Sequence, residues 1–142
     1  METYFAFLYY VKPSDRVKRD KLFEILQNKN IPNLLLKSTI EIYFGNKIKV
    51  KLSEERTINH AVRQGGALSP TLFNIYINRI IVKWYQIYTK GINLSTGTKI
   101  HTLLLAYNQV IVADSEDNLH RRVFTLQNIT KKFWNGNITR KI

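Results

Sequence analysis

A glycine pair that leads into a helix start is the segment best suited to contact an anionic ligand. It reads Arg63-Gln64-Gly65-Gly66, and two further residues separate it from Ser69-Pro70. Gly65 and Gly66 allow the backbone to approach a ligand closely, and the amide groups at a helix start favour negative charge. The Gln64 side chain has a donor and an acceptor for a base or a sugar. The alternative is a tight strand-to-helix turn, in which the glycines only relieve steric crowding.

A lysine-rich segment is the second candidate for contact with a polyanion. Lys47, Lys49 and Lys51 alternate with aliphatic residues, which predicts a half-buried strand over residues 47–52 with its lysines on one face. Such a face can follow a phosphate backbone, as can the basic pair Lys18-Arg19 and the pair Arg121-Arg122. The alternative, equally supported, is an exposed strand whose lysines discourage edge pairing.

The sequence shows no pattern typical of a metal-binding site or of a catalytic nucleophile. The chain has no cysteine, which excludes disulfides and thiolate zinc sites. Its histidines, at positions 60, 101 and 120, lack the short spacing of zinc ligands. Phosphate-loop and nucleophile-elbow patterns are missing as well. We therefore expect no metal site and no small-molecule substrate.

Net charge indicates the class of partner. The 142 residues include 22 Lys and Arg against 10 Asp and Glu, a formal net charge of +12. Such an excess favours polyanions, chiefly nucleic acid or an anionic membrane face. No run approaches the roughly 18 apolar residues of a membrane span, and the short apolar start carries Glu2 where a signal peptide is basic. We expect RNA or DNA as the partner, and no membrane.

The hydrophobic pattern predicts one compact α+β domain. With 44% hydrophobic and 23% charged residues, the chain has enough apolar surface for a core. Strands are predicted over residues 3–11, 47–52, 56–62, 100–106 and 110–113, with short strands near Gly91 and Gly97 and a turn at 107–109. The first of these reads as a buried strand because it is continuously apolar. Helices are predicted after Asp15, over about 31–44, from Ser69, and from Ser115 to Phe133, and residues 135–142 are expected to form a polar tail.

The stretch from Arg63 to Asn78, RQGGALSPTLFNIYIN, resembles a motif of the reverse transcriptases of non-LTR retroelements and group II introns. In that family an Arg-Gln-Gly loop precedes a helix that opens with Leu-Ser-Pro and continues Leu-Phe-Asn. Residues 7–22 resemble the family's first catalytic strand and its following turn, and residues 102–115 resemble its catalytic hairpin. The resemblance implies a palm-like fold, a small antiparallel sheet packed against helices on one face, with residues 1–134 forming a partial reverse transcriptase domain. The implied family activity is RNA-templated DNA synthesis.

The resemblance also identifies the positions where this family holds its metal ions. Two divalent ions, usually Mg²⁺, are bound there by aspartates, and those positions carry Tyr9, Tyr107 and Asn108 in this sequence. A phenol or an amide carbonyl is a neutral and weak ligand for Mg²⁺. We therefore expect no Mg²⁺ cofactor and no polymerase activity. The acids that remain nearby would have to relocate to replace these ligands; they are Asp15, Asp114, Glu116 and Asp117.

By the standards of the family, most of the fingers and all of the thumb are expected to be missing. Together with the replaced metal ligands, this truncation suggests a decayed element copy. The first hypothesis is therefore a catalytically inactive fragment without a selected role, the second a non-enzymatic RNA- or DNA-binding module, and the third an active polymerase that uses displaced acids. The compartment is not determined, beyond an intracellular expectation, nuclear or cytoplasmic.

Overall fold

A computed structural model describes residues 2–43, 47–48, 56–57, 60–63, 65–88, 91–94, 96–105, 107–134 and 138–141. In chain order, the elements are β1 (Tyr4–Tyr10), α1 (Arg19–Gln27), α2 (Asn33–Tyr43), β2 (Lys47–Ile48), β3 (Arg56–Thr57), α3 (Ser69–Ile87), β4 (Ile92–Asn93), β5 (Lys99–Ile100), β6 (Thr102–Leu105), β7 (Asn108–Ala113), α4 (Glu116–Trp134) and β8 (Ile138–Lys141). The chain divides into a sheet unit, residues 1–13 with 77–142, and a helical unit, residues 14–76. Each unit is described by itself.

An antiparallel sheet forms the centre of the sheet unit, with the strand order β6-β7-β1-β8 among the described residues. One face of β1 is buried through Ala6, Leu8 and Tyr10, and α4 lies against β1 and β7. The α4 stripe of Leu119, Val123 and Leu126 is buried, as its helical spacing predicts. Ser115 begins this helix as expected, because its hydroxyl accepts a hydrogen bond from the Asn118 amide at 3.3 Å. The α+β prediction, a small antiparallel sheet backed by helices, is confirmed.

The segment expected to be a polar tail contains a strand. Residues 138–141 form β8, which pairs antiparallel with β1 so that Tyr10 lies opposite Ile138. Ile138 is buried. An open edge of β1 would leave a row of backbone N–H and C=O groups without partners, and β8 covers this edge from Phe7 to Tyr10. Four residues with one aliphatic side chain give too short a pattern for the sequence to reveal this pairing.

The hairpin turn also lies earlier than predicted. Residues 107–109 were expected at the turn, but β7 already begins at Asn108, opposite Leu105. Gln109 is completely buried because its amide has partners: the Tyr10 hydroxyl donates to Oε1 at 2.5 Å, and Nε2 donates to Thr102 Oγ1 at 2.9 Å. A polar residue with such partners fits inside a strand, whereas the sequence alone made it resemble a turn residue.

The helical unit contains α1, α2 and the first two turns of α3. Of α2, only Tyr43 is buried, whereas Leu34 and Leu35 are exposed. Leu22, Ile25 and Leu26 of α1 are buried, as their spacing predicts. The predicted lysine-rich strand and its partner are present in part, since β2 pairs antiparallel with β3. Of the rest of that predicted pair, residues 49–52 and 58–59, including Lys49 and Lys51, lie outside the described residues. Residues 60–62 are described and do not extend β3, because His60 forms only an isolated bridge, to Lys18. No helix in the described ranges is both long and apolar enough to cross a membrane.

His101, at the connection between β5 and β6, is partly buried in the sheet unit. Its ring meets Tyr85 edge-on, with 5.1 Å between ring centroids. Its Nδ1 is buried and has no hydrogen-bond partner among the described residues. Burial, together with the positive charges of Arg122 and Lys99, lowers the pKa of His101 below its ordinary value of 6.5. The folded protein therefore favours the neutral imidazole.

We expect the free energy of unfolding to fall as the pH is lowered through 6.5. Because the pKa of His101 is lowered on folding, the unfolded chain takes up the proton first, and stability is lost until the folded pKa is reached. Urea denaturation between about pH 5 and pH 8 measures this slope. His101→Phe should flatten it. His120→Phe, at a half-exposed position of α4, is the matched control, and an equal slope in both variants would contradict the assignment.

Candidate functional site

The positions that the resemblance assigns to metal ligands lie together at one end of the β1–β7 pair. Tyr9 is directly opposite Asn108 in the strand register. The amide of Tyr10 donates to the carbonyl oxygen of Tyr107 at 3.4 Å, which places Tyr107 beside the same end of β1. Tyr9 and Asn108 are both exposed. The fold therefore brings the three positions together on an accessible part of the sheet unit.

The side chains at these positions do not fit a Mg²⁺ site. Magnesium is held in proteins mainly through negatively charged carboxylate oxygens. Tyr9 and Tyr107 present phenols and Asn108 presents an amide, so none of the three side chains offers a carboxylate oxygen. Elsewhere in the described ranges, no three Asp, Glu, His or Cys side chains come together as possible metal ligands.

Asp114 and Asp15 are the acids that lie nearest to these positions in the sequence. Asp114 follows the far end of β7, where Ala113 pairs with Tyr4. The six residue steps from Asn108 to Asp114 span about 20 Å of extended strand. Its Oδ1 accepts a hydrogen bond from the Asn118 side chain at 2.6 Å, at the start of α4. Asp15 lies in a single 3-10 turn of the helical unit, Ser14–Arg16. Within the sheet unit, Asp114 therefore adds no carboxylate to the β1–β7 end.

The carbonyl oxygen of Arg63 accepts two hydrogen bonds from residues that follow it in the chain. The amide of Gly66 donates to this oxygen at 3.1 Å, and the hydroxyl of Ser69 donates to it as well. Ser69 is buried at the first position of α3, and its Oγ lies 3.2 Å from the hydroxyl of Tyr43. The helix begins where it was predicted, but the Ser69 hydroxyl reaches back to the loop. Ser69 thus serves the turn itself.

The two glycines of the loop are needed for different physical reasons. Gly65 has a φ of +76°, in the left-handed region that favours glycine. A Cβ on Gly66 would lie 2.9 Å from Ser69 Oγ and 3.2 Å from the Arg63 carbonyl oxygen. These facts explain the glycine pair as part of a tight turn that leads into α3. Ligand contact by the loop stays a prediction, for which Arg63 and Pro70 are exposed and Gln64 lies outside the described residues.

We expect Gly66→Ala to destabilise the helical unit by about 1–3 kcal/mol, because the added methyl group crowds Ser69 and the Arg63 carbonyl. Urea denaturation measures the loss. Ser69→Ala in the same chain removes one of the crowding atoms, so the two substitutions should cost less together than their separate costs summed. Gly65→Ala is the comparison, since it meets no atom within 4 Å and only strains the backbone. An unchanged stability for Gly66→Ala would contradict this packing.

Arg19 is buried and hydrogen-bonded to backbone carbonyls, whereas the sequence suggested that it contacts phosphates. It is only 6% exposed, although it is charged. Its Nε donates to the Ala61 carbonyl at 3.0 Å and its Nη1 to the Tyr43 carbonyl at 2.5 Å. The guanidinium also lies 5.2 Å from the Tyr43 ring centroid, and burial lowers the pKa of Arg19. A cation at the carbonyl end of α2 is favourable, which gives this arginine a reason to be buried.

The other basic candidates differ in accessibility. Lys18 is partly buried and its backbone bridges to His60, while Lys47 lies on β2. On α4, Arg121 is exposed and forms an ion pair with Asp117 at 2.8 Å. Arg122 is buried, and its Nη1 donates to the Val112 carbonyl at 2.8 Å. Of the basic pair Arg121-Arg122, the first residue is therefore on the surface and the second is in the core.

Sequence reasoning missed the open face of β1. The continuous apolar run predicted a strand buried on both sides, but Phe5, Phe7 and Tyr9 are 48%, 48% and 40% exposed. They alternate with buried residues along the strand. A strand that is apolar on both faces gives no alternation in sequence, so no signal could have shown which face was open.

Comparisons with known proteins agree with this architecture. Residues 2–140 match the family described as Reverse transcriptase (RNA-dependent DNA polymerase). Among solved structures, apo telomerase from Candida tropicalis, truncated from its C-terminal domain, is similar with a TM-score of 0.65 and 15% sequence identity. The alignment covers 98% of this chain and 30% of the telomerase chain, so this chain spans less than a third of it. Curated protein sequences gave no significant match.

Proposed function

We propose that this chain, which belongs to the reverse transcriptase (RNA-dependent DNA polymerase) family, has lost the metal-dependent chemistry of that family. The observation that carries the proposal is the strand register that sets Tyr9 opposite Asn108, with Tyr107 beside them. The resemblance assigns metal-binding aspartates to these positions. Divalent ions activate the nucleophile and neutralise the developing charge in such reactions, so a neutral donor set removes the basis for catalysis.

The proposed origin is a degenerate non-LTR retroelement. It is supported by the stretch Arg63 to Asn78, which follows the motif of non-LTR and group II intron enzymes over consecutive residues. The geometry of this stretch is compatible with the motif, because the glycine turn leads directly into α3. On this proposal the ancestral activity was RNA-templated DNA synthesis, and the present chain needs no Mg²⁺ cofactor.

Primer extension tests the loss of activity. The purified chain is incubated with an RNA template, a DNA primer, nucleotides and Mg²⁺, and in parallel with Mn²⁺, alongside an active reverse transcriptase. We expect no product above the enzyme-free background. Extension that disappears in Asp15→Asn or Asp114→Asn would overturn the proposal and support a polymerase with displaced acids.

Nucleic-acid binding without catalysis is the second function that we propose. It is supported by the net charge of +12 and by family membership. Binding through phosphates releases counterions, so the affinity for an RNA–DNA hybrid should fall steeply as salt is raised. A salt series measured by fluorescence anisotropy, with circular dichroism to confirm folding, checks this. An affinity that does not change with salt, or no binding, would contradict it.

A further inference from the structure

The open face of the sheet carries aromatic side chains that the core does not use. We define this open face as Phe5, Phe7 and Tyr9 of β1 with Leu103 of β6, which is 56% exposed. Phe7 and Leu103 both lie opposite Val110, so the two strands contribute to one row of the sheet. The reverse side of β1 packs through Ala6, Leu8 and Tyr10. The exposed rings therefore need an explanation other than packing within the described fold.

The spacing of these rings suits a series of separate flat partners. Alternate residues of a strand point to the same face and lie about 6.8 Å apart. Rings at positions 5, 7 and 9 of one strand thus form a regular row. Exposed aromatic rings on a sheet surface are how several nucleic-acid-binding folds stack successive unpaired bases, since every base has a π-face.

The charge around the open face favours a polyanion. None of the residues in β1, β6, β7 and β8 is acidic, so the sheet presents no carboxylate that would repel phosphates. Lys12, two residues after the end of β1, is exposed. The chain as a whole carries a formal net charge of +12. An apolar partner of neutral charge would gain nothing from this excess, whereas a nucleic acid gains both stacking and neutralisation of its phosphates.

We propose that the open face binds single-stranded RNA or DNA, with bases stacked on Phe5, Phe7 and Tyr9. The inference rests on the second function proposed above, and it adds the form of the ligand and the residues that hold it. Bases in a duplex are stacked on each other and cannot cover three separate rings. The open face should therefore prefer a single strand to a hybrid of the same length, with little dependence on base sequence.

Anisotropy of a labelled oligothymidine single strand, against an RNA–DNA hybrid of equal length, tests this preference. Phe5→Ala and Phe7→Ala should each weaken single-strand binding about tenfold and leave hybrid binding nearly unchanged. Phe5→Leu and Phe7→Leu keep an apolar side chain and lose the ring, so they should weaken binding almost as much. Phe124→Ala, which removes a 64% exposed ring from α4, is the matched control and should change neither affinity. Circular dichroism verifies that every variant is folded.

Several outcomes would overturn the inference. They also distinguish its failure from a failure of the proposed nucleic-acid binding on which it rests. Salt-sensitive binding that is equal for both probes and unaffected by Phe5→Ala and Phe7→Ala would leave nucleic-acid binding standing and remove the open face from it. No binding to either probe would remove both. A dimer by analytical ultracentrifugation that dissociates in Phe7→Ala, with oligonucleotide affinity unchanged, would assign the face to a second copy. Binding to phosphatidylserine vesicles that is lost in the same variant, again with oligonucleotide affinity unchanged, would assign it to a membrane.

Discussion

Introducing aspartate at Tyr9, Tyr107 and Asn108 together is expected to make the stability of the protein depend on Mg²⁺. The native side chains at this end of the β1–β7 pair are neutral, so Mg²⁺ should leave the unfolding of the native chain unchanged. The register that sets position 9 opposite position 108 would bring the new carboxylates together. Without metal, their mutual repulsion should lower the free energy of unfolding.

Mg²⁺ should reverse this loss in the triple variant, because a ligand that binds only the folded state stabilises it. At a concentration of 100 times the dissociation constant, the gain is about 2.7 kcal/mol. Thermal unfolding with and without MgCl₂, at an ionic strength matched with KCl, measures it. The matched control is Tyr9→Asn with Tyr107→Asn, which leaves Asn108 in place and removes the same rings without adding charge.

Comparing the native chain, the triple variant and the control shows whether the missing carboxylates alone account for the loss of the metal site. A Mg²⁺ response in the triple variant and none in the control or the native chain would show that the backbone still holds the ligand positions in place. If Mg²⁺ stabilised the native chain as strongly as the triple variant, that result would contradict the proposed loss of the metal site. No response in any of the three chains would contradict the predicted geometry of the restored site.

Trp84→Ala is expected to cost about 3–5 kcal/mol of unfolding free energy, the range for deleting a fully buried aromatic side chain. Trp84 lies on α3 and is completely buried in the sheet unit. Its Nε1 donates to the Arg122 carbonyl of α4 at 3.0 Å, and its ring lies 5.9 Å from that of Tyr88. The Arg122 guanidinium in turn donates to the carbonyl oxygen of Val112 in β7. The substitution therefore removes the hydrogen bond that joins α3 to α4, next to the one that joins α4 to the sheet.

Urea denaturation followed by circular dichroism measures this loss, which is a large part of the roughly 5–15 kcal/mol that stabilises a typical domain. Trp84→Phe keeps much of the ring and loses the hydrogen bond, so its cost should be distinctly smaller. Phe124→Ala, at an exposed position of α4, should change stability by less than about 0.5 kcal/mol. Equal costs for Trp84→Ala and Phe124→Ala would contradict the packing described.

Local patterns determined the elements and the family resemblance. The helical spacing of Leu119, Val123 and Leu126 predicted α4, and Ser115 marked its start, because periodicity and capping depend on residues a few positions apart. The glycine turn and the start of α3 at Ser69 were readable for the same reason. The net charge of +12 follows from composition alone, and it predicted the class of partner before any fold was known.

The tertiary structure alone decided which residues meet and which side of an element is open. The pairing of Tyr9 with Asn108 joins residues far apart in the chain, so composition and spacing could not give it. Arg19 and Gln109 are polar and buried, because their partners come from other elements. The strand β8 exists because β1 has an edge to pair, and the exposed rings of Phe5 and Phe7 exist because α4 covers only the reverse face. In each case the deciding free energy comes from contacts between distant segments, which a local sequence pattern does not record.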